Sequence, residues 1–223
     1  MQRYFRSVLK DGQPIVRAVT IETAGTINMS ATAEQWKPFT SMQQVVTRRP
    51  GFMWDAPISM LPGMKVHVLD AYIAGKGVLR AAMLGLLTVA DVSGADEMAR
   101  GEFMRYFAET PWYPTALLPS QGVQWAAVDA TSANAMIVDG ALALTLLFHF
   151  NDAGLIDSVR AQARGRMVGK EVLMTPWECG FSDYQQQDGM LIPMAAEVAW
   201  VGPEGRKAYF FGKVKKLRHE FTP

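Results

Sequence analysis

Apolar residues along this chain recur mostly at every second position, the period of strands that bury one face. In residues 52–60, Phe52, Trp54, Ala56, Ile58 and Met60 fall on one side and Asp55 and Ser59 on the other. In residues 142–150 the face made by Leu142, Leu144, Leu146, Phe148 and Phe150 is unbroken, which predicts a central strand over a large apolar interior. Strands are also expected over 16–29, 40–48, 65–73, 123–128, 133–138, 155–167, 192–200 and 208–217, punctuated by Gly and Pro turns. Asp139-Gly140 is a hairpin signal, Gly25 suggests a bulge, and Pro57, which lacks a ladder donor, suggests an edge or bulge position.

Helical spacing is confined to two places. Residues 2–9 form an amphipathic turn or two, and Met98, Phe103, Met104 and Phe107 predict a helix from about residue 95 to Glu109. Residues 78–89 suit a buried helix or a strand. Pro111 disfavours helix at Thr110, and Pro114 and Pro119 stiffen the chain around Trp112 and Tyr113. Those two rings then form either a pocket wall or a plug over the core. Glu109 meets the unfavourable end of the helix dipole, so it calls for an Arg partner or acts as an acid or base of shifted pKa.

In residues 155–167, Arg160, Arg164 and Arg166 alternate with Ala161, Ala163 and Gly165. The Arg face is expected to be solvated; turned towards a cavity it would make an anion-binding wall. The length fits one large β-rich domain, residues 1–223, opened by a short helix, mainly β with a few helices (α+β).

Charge and composition exclude more than they propose. Lys and Arg number 22 against 21 Asp and Glu, with no long basic run, which argues against a nucleic-acid partner. The basic tail at 213–219 alternates with apolar residues and reads as a terminal edge strand with a solvated Lys face. The single Cys179 rules out an internal disulfide and reads as a small buried residue. His67, His149 and His219 have no ligand spacing, so no metal and no cofactor are expected. No run approaches the ~20 apolar residues of a membrane helix, and no signal sequence opens the chain, which is expected to be soluble, in the bacterial cytoplasm or membrane-associated.

Several motifs carry a resemblance: Phe52-Met53-Trp54-Asp55-Ala56, Arg105-Tyr106 with Glu109, Trp112-Tyr113-Pro114-Thr115-Ala116-Leu117-Leu118-Pro119, Arg164-Gly165-Arg166, Pro176-Trp177 and Glu197-Val198-Ala199-Trp200. Together they resemble an uncharacterised bacterial family of unknown function over nearly the whole chain. Members of that family carry N-terminal membrane helices, so the resemblance implies that membrane association would come through an anchor this sequence lacks. At the level of fold, the succession of strands with two helices resembles the open half-barrel of lipoprotein carriers such as LolA. That resemblance implies a large curved antiparallel sheet with a helix packed on its concave face and an apolar cavity, which the fourteen Met residues would suit.

Three functions are compatible with these residues. The first is binding of a lipid or other hydrophobic small molecule in an aromatic- and Met-lined cavity bounded by Trp54, Trp112, Tyr113, Trp125 and Trp177, with Arg164 or Arg160 meeting an anionic head group. The second is a hydrolase or lyase on an apolar substrate, with Glu109 or Glu197 as acid or base, Arg164 stabilising negative charge and Tyr184 donating. The third is an interaction domain with a solid core.

Overall fold

The computed structural model describes every residue except 31–32, 84–86, 95–96, 169–170 and 223. Helix α1 (Gln2–Val8) precedes six strands: β1 (Val16–Asn28), β2 (Trp36–Val46), β3 (Gly51–Leu61), β4 (Met64–Ile73), β5 (Lys76–Met83) and β6 (Leu87–Gly94). Helix α2 (Glu97–Ala108) and three 3-10 turns lead into β7 (Gln124–Ala127), β8 (Ser132–Asp139), β9 (Leu142–Phe150) and β10 (Ile156–Val168). The chain closes with β11 (Glu171–Gln187), β12 (Met190–Gly202) and β13 (Gly205–Phe221).

Among the described residues these strands form one antiparallel sheet of thirteen, in the order β6-β5-β4-β3-β2-β1-β13-β12-β11-β10-β9-β8-β7. Two hairpin-linked meanders, one on each side of α2 in the sequence, are joined where β1 pairs with β13. The edges β6 and β7 do not pair with each other, so the sheet is open.

One-sided alternation explains the curl. Burial alternates along β2 and through most of β3, and the apolar side of both strands faces α2. The helix packs against β3 to β6 on one flank and against β9 and β10 on the other. It is apolar around most of its circumference, with Ala99, Phe103, Met104, Tyr106 and Phe107 all buried, as befits a helix wrapped by a sheet. Tyr72 of β4 stacks on Phe103 with ring centroids 5.0 Å apart and donates to Asp139 of β8 at 2.7 Å, fastening the two arms. Gly77 of β5 lets the backbones touch, since a Cβ there would lie 2.6 Å from the Met98 carbonyl carbon.

Several local expectations are corrected. The basic tail is no edge strand: β13 lies in the sheet between β1 and β12, because the first strand pairs with the last. Its Lys213, Lys215 and Lys216 are nonetheless exposed while Val214 is buried. Pro57 also sits in an interior strand, and the β2–β3 ladder lapses between Phe39↔Ile58 and Met42↔Asp55, the stretch that contains it. The bulge expected at Gly25 falls between Glu22 and Thr23; Gly25 instead lies where a Cβ would overlap the Phe211 carbonyl of β13. Residues 78–89 resolve into β5 and β6, with 84–86 outside the described residues.

Gly77→Ala is expected to push α2 off β5 and to lower stability by about 2 kcal/mol, within the range for overpacking. Urea unfolding measures it, and an unchanged midpoint would contradict the close contact.

Candidate functional site

Glu109 follows the last residue of α2, its N–H bonded to the Arg105 carbonyl at 3.0 Å, and its carboxylate is held by Arg105 one turn earlier. Arg105 Nε donates to Glu109 Oε1 at 2.9 Å, Nη1 to Asp70 Oδ2 at 2.5 Å and Nη2 to Gln43 Oε1 at 3.1 Å. Gln43 Nε2 closes the ring by donating to Glu109 Oε2 at 2.6 Å. The guanidinium carbon lies 4.9 Å from the ring centroids of both Phe52 and Trp54. Burial opposes its charge, but Glu109, Asp70 and Glu102 together hold Arg105 more firmly protonated than an ordinary arginine. Each nitrogen of the guanidinium has an acceptor, the condition under which a buried ion pair is tolerated.

Glu102, three residues before Arg105, behaves differently. Burial pushes its carboxyl well above the usual range, Asp70 pushes it further, and Arg164 and Arg105 only partly oppose them. Asp70 Oδ1 and Glu102 Oε2 are both buried without a donor. A proton on Glu102 would supply both oxygens with a partner, and this is the direction in which its pKa is moved.

Arg164 reaches this cluster from β10. The β10–β11 register runs to Ala161↔Trp177 and resumes at Arg164↔Thr175, so one extra residue in β10 forms a bulge. Arg164 thereby shares the inner face with Ala161 and Trp177, whereas Arg160, opposite Glu178, stays on the outer one. The solvated Arg ladder expected from strict alternation is corrected accordingly: the bulge shifts the phase. The Arg164 side chain is only 11% exposed, its Nη2 lies 3.5 Å from Glu102 Oε1, and its guanidinium sits 4.6 Å from the Trp177 ring centroid. Glu102 is the carboxyl group that meets Arg164 among the described residues, and its raised pKa weakens that pairing.

A cavity of about 250 Å³ opens beside these groups. Its apolar walls include Met29, Trp54, Ile58, Trp177 and Phe210, and its polar atoms come from Asp70, Arg105, Glu109, Arg164 and Tyr209. The Tyr209 hydroxyl accepts from Trp177 Nε1 at 2.9 Å, which leaves its own proton to donate. Cys179 lines the same wall, its thiol pushed up by burial and so kept un-ionised. Among the described residues no group of three His, Cys, Asp or Glu side chains is placed to share a metal ion.

Of the residues singled out from the sequence, Trp54, Trp177, Glu109 and Arg164 meet at this cavity. Trp112, Tyr113 and Trp125 do not line it. Trp112 Nε1 donates to the Pro193 carbonyl and its ring meets Phe181 edge-on, Tyr113 donates to the Tyr106 carbonyl, and Trp125 packs on Phe148. They plug the core. Glu197 lies on the opposite face of the sheet, paired with Arg206, and the Tyr184 hydroxyl is spent on the Ile156 carbonyl at 2.6 Å. Sequence reasoning passed over Gln43, Asp70, Glu102 and Arg105 as site residues. The available signals were polar side chains on otherwise apolar strand faces and the four-residue spacing from Arg105 to Glu109.

An open antiparallel sheet wrapped around a buried helix, with a charged cluster on the floor of an apolar cavity, defines the class of molecule. The chain belongs to a family of unknown function (DUF6920), whose model matches residues 1–219. No curated protein matches it. Among solved structures it is similar to a LolA superfamily protein from Nitrosomonas europaea, at 9% identity and a TM-score of 0.46, over 92% of this chain and 87% of that one. It is also similar to a β-barrel-like protein of a domain of unknown function (DUF1849) from Brucella abortus, at 10% identity and a TM-score of 0.28, over 93% of this chain and 99% of that one. At these values neither likeness bears on what the cavity binds.

The raised Glu102 pKa fixes the sign of a pH effect. The folded state holds a proton that the unfolded chain releases near pH 4.5, so this contribution to stability is full below that pH and is lost as pH rises towards the folded value. Glu102→Gln keeps a donor for Asp70 and has no proton to lose. Its melting temperature is expected to gain on the parent progressively as pH rises above 4.5. A difference in melting temperature that stays constant as pH rises above 4.5 would contradict the raised pKa of Glu102.

Proposed function

We propose that the protein binds a hydrophobic small molecule carrying an acidic group, the apolar part lying between Trp54 and Trp177 and the acid meeting Arg164 and the Tyr209 hydroxyl. The observation that carries this reading is the inequality between the two buried arginines. Arg105 has its charge met by Glu109 and Asp70 at 2.5–2.9 Å, whereas Arg164, at the wall of an apolar cavity, has the Glu102 carboxyl at 3.5 Å, a group whose pKa is raised by burial. An anion brought by a ligand would complete the pairing that the protein leaves open, and in a dry site such a charge-assisted bond is strong. At about 250 Å³ the space suits one slender chain or a small ring system rather than a lipid with several chains.

The acid–base alternative has no comparable support. Glu109 is tied on both oxygens, and Glu197 and Tyr184 lie away from Arg164 in contacts of their own.

Dodecanoic acid and dodecanol, which share a chain and differ in the head, test the reading by calorimetry or by quenching of Trp emission. Arg164→Gln is expected to weaken the acid by about tenfold or more, the loss of one charged hydrogen bond, and to leave the alcohol within about twofold. Equal losses for both would remove Arg164 as the head-group contact.

A further inference from the structure

The hairpin of β10 and β11 is built differently from the rest of the sheet. Its two strands pair with each other as far as Val168↔Glu171. The β9 ladder, however, ends at Arg160 and the β12 ladder begins only at Trp177, so the outer part of the hairpin stands clear of both neighbours. Met167 (61% exposed), Val168, Val172 (53%), Leu173 and Met174 project from this ribbon into solvent. A two-stranded ribbon has no interior in which to bury them, and so many adjacent apolar side chains mark a contact surface.

At the root of the hairpin lies a recess of about 270 Å³, between Met29, Met167 and Trp200. Its charged members are Arg166 and Lys207, and no carboxylate lines it. Arg166 sits 5.4 Å from the Trp200 ring centroid, and Trp200 is stacked on Tyr209. The recess shares Ile27, Met29 and Tyr209 with the inner cavity. Arg166 lies opposite Leu173 and Lys207 opposite Trp200, so exposed apolar side chains, an aromatic ring and two cations stand together, the chemistries that meet a bilayer surface; Glu171, opposite Val168, is the carboxylate among the described residues of the ribbon.

We propose that this hairpin is a membrane-docking finger, the apolar side chains of Met167, Val172 and Leu173 entering the surface of a bilayer that contains anionic phospholipid, with Arg166 and Lys207 receiving a lipid phosphate. Membrane contact then belongs to the fold itself and needs no N-terminal anchor. Docking goes beyond the ligand-binding reading and does not depend on it, since vesicles can be bound with the cavity unoccupied.

Co-sedimentation with vesicles of phosphatidylcholine alone, and of phosphatidylcholine with an equal part of phosphatidylglycerol, tests the proposal. The protein is expected to pellet with the anionic vesicles, to do so less at high salt, and to bind the neutral vesicles weakly. Met167→Asp with Leu173→Asp is expected to abolish binding, and Arg166→Gln with Lys207→Gln to reduce it about tenfold or more, each with an unchanged melting temperature. A fluorophore on Leu173→Cys, selective because Cys179 is buried, is expected to shift to the blue on binding. Absence of binding to anionic vesicles, binding indifferent to the Asp pair, or an unshifted label on bound protein would each overturn insertion and leave the finger as a contact for another protein.

Discussion

One buried guanidinium organises this molecule. Arg105 on α2 reaches Glu109 on its own chain segment, Asp70 on β4 and Gln43 on β2, and its flat faces lie against Phe52 and Trp54 of β3. Apolar packing alone would let a helix slide or rotate within a curved sheet, because dispersion contacts are numerous and individually weak. A planar fork with a fixed acceptor at each nitrogen has one rotation and one depth at which it is satisfied. Breaking such a buried pair by removing one partner costs roughly 3–5 kcal/mol, enough to make the ring decide where α2 sits.

The position of the helix determines the rest of the site. Burial first, and the Asp70 charge second, raise the pKa of Glu102, the third acid of the cluster. Arg164 is left with that weakened partner, at the wall of a cavity made by Trp54, Trp177 and the strands around them. Structural ion pair, acid of raised pKa and weakly paired cation thus form one chain of consequence running from the middle of the fold to the cavity. Arg164 lies within the stretch of β10 and β11 that pairs with neither neighbouring strand, so the residue facing the cavity and the finger outside it belong to the same strand.

The strands were legible in the sequence because alternation over one buried face is a strong local signal, as at Phe52 to Ile58 and Leu142 to Phe150. The helix stop at Glu109 was legible because Pro111 enforces it. The orientation of Arg164 was not, since a bulge two residues earlier inverts the phase on which any alternation argument depends. Trp112 and Trp125 misled for another reason: composition marks a Trp as apolar, but only the tertiary path decides whether its ring lines a space or fills one. Asp70 and Gln43 are polar positions on apolar faces, but their partner lies 35 and 62 residues away along the chain, beyond any local pattern.

Native mass spectrometry of the purified protein, before and after incubation with a single-chain fatty acid, tests the central claim most directly. The account predicts one added acid per chain, either already present on purification or taken up at one equivalent, with none retained by a chain whose Arg164 is replaced by Gln. Only the bare protein mass in every sample, with the parent fully folded, would show that the cavity beside Arg164 is not a binding site for such molecules.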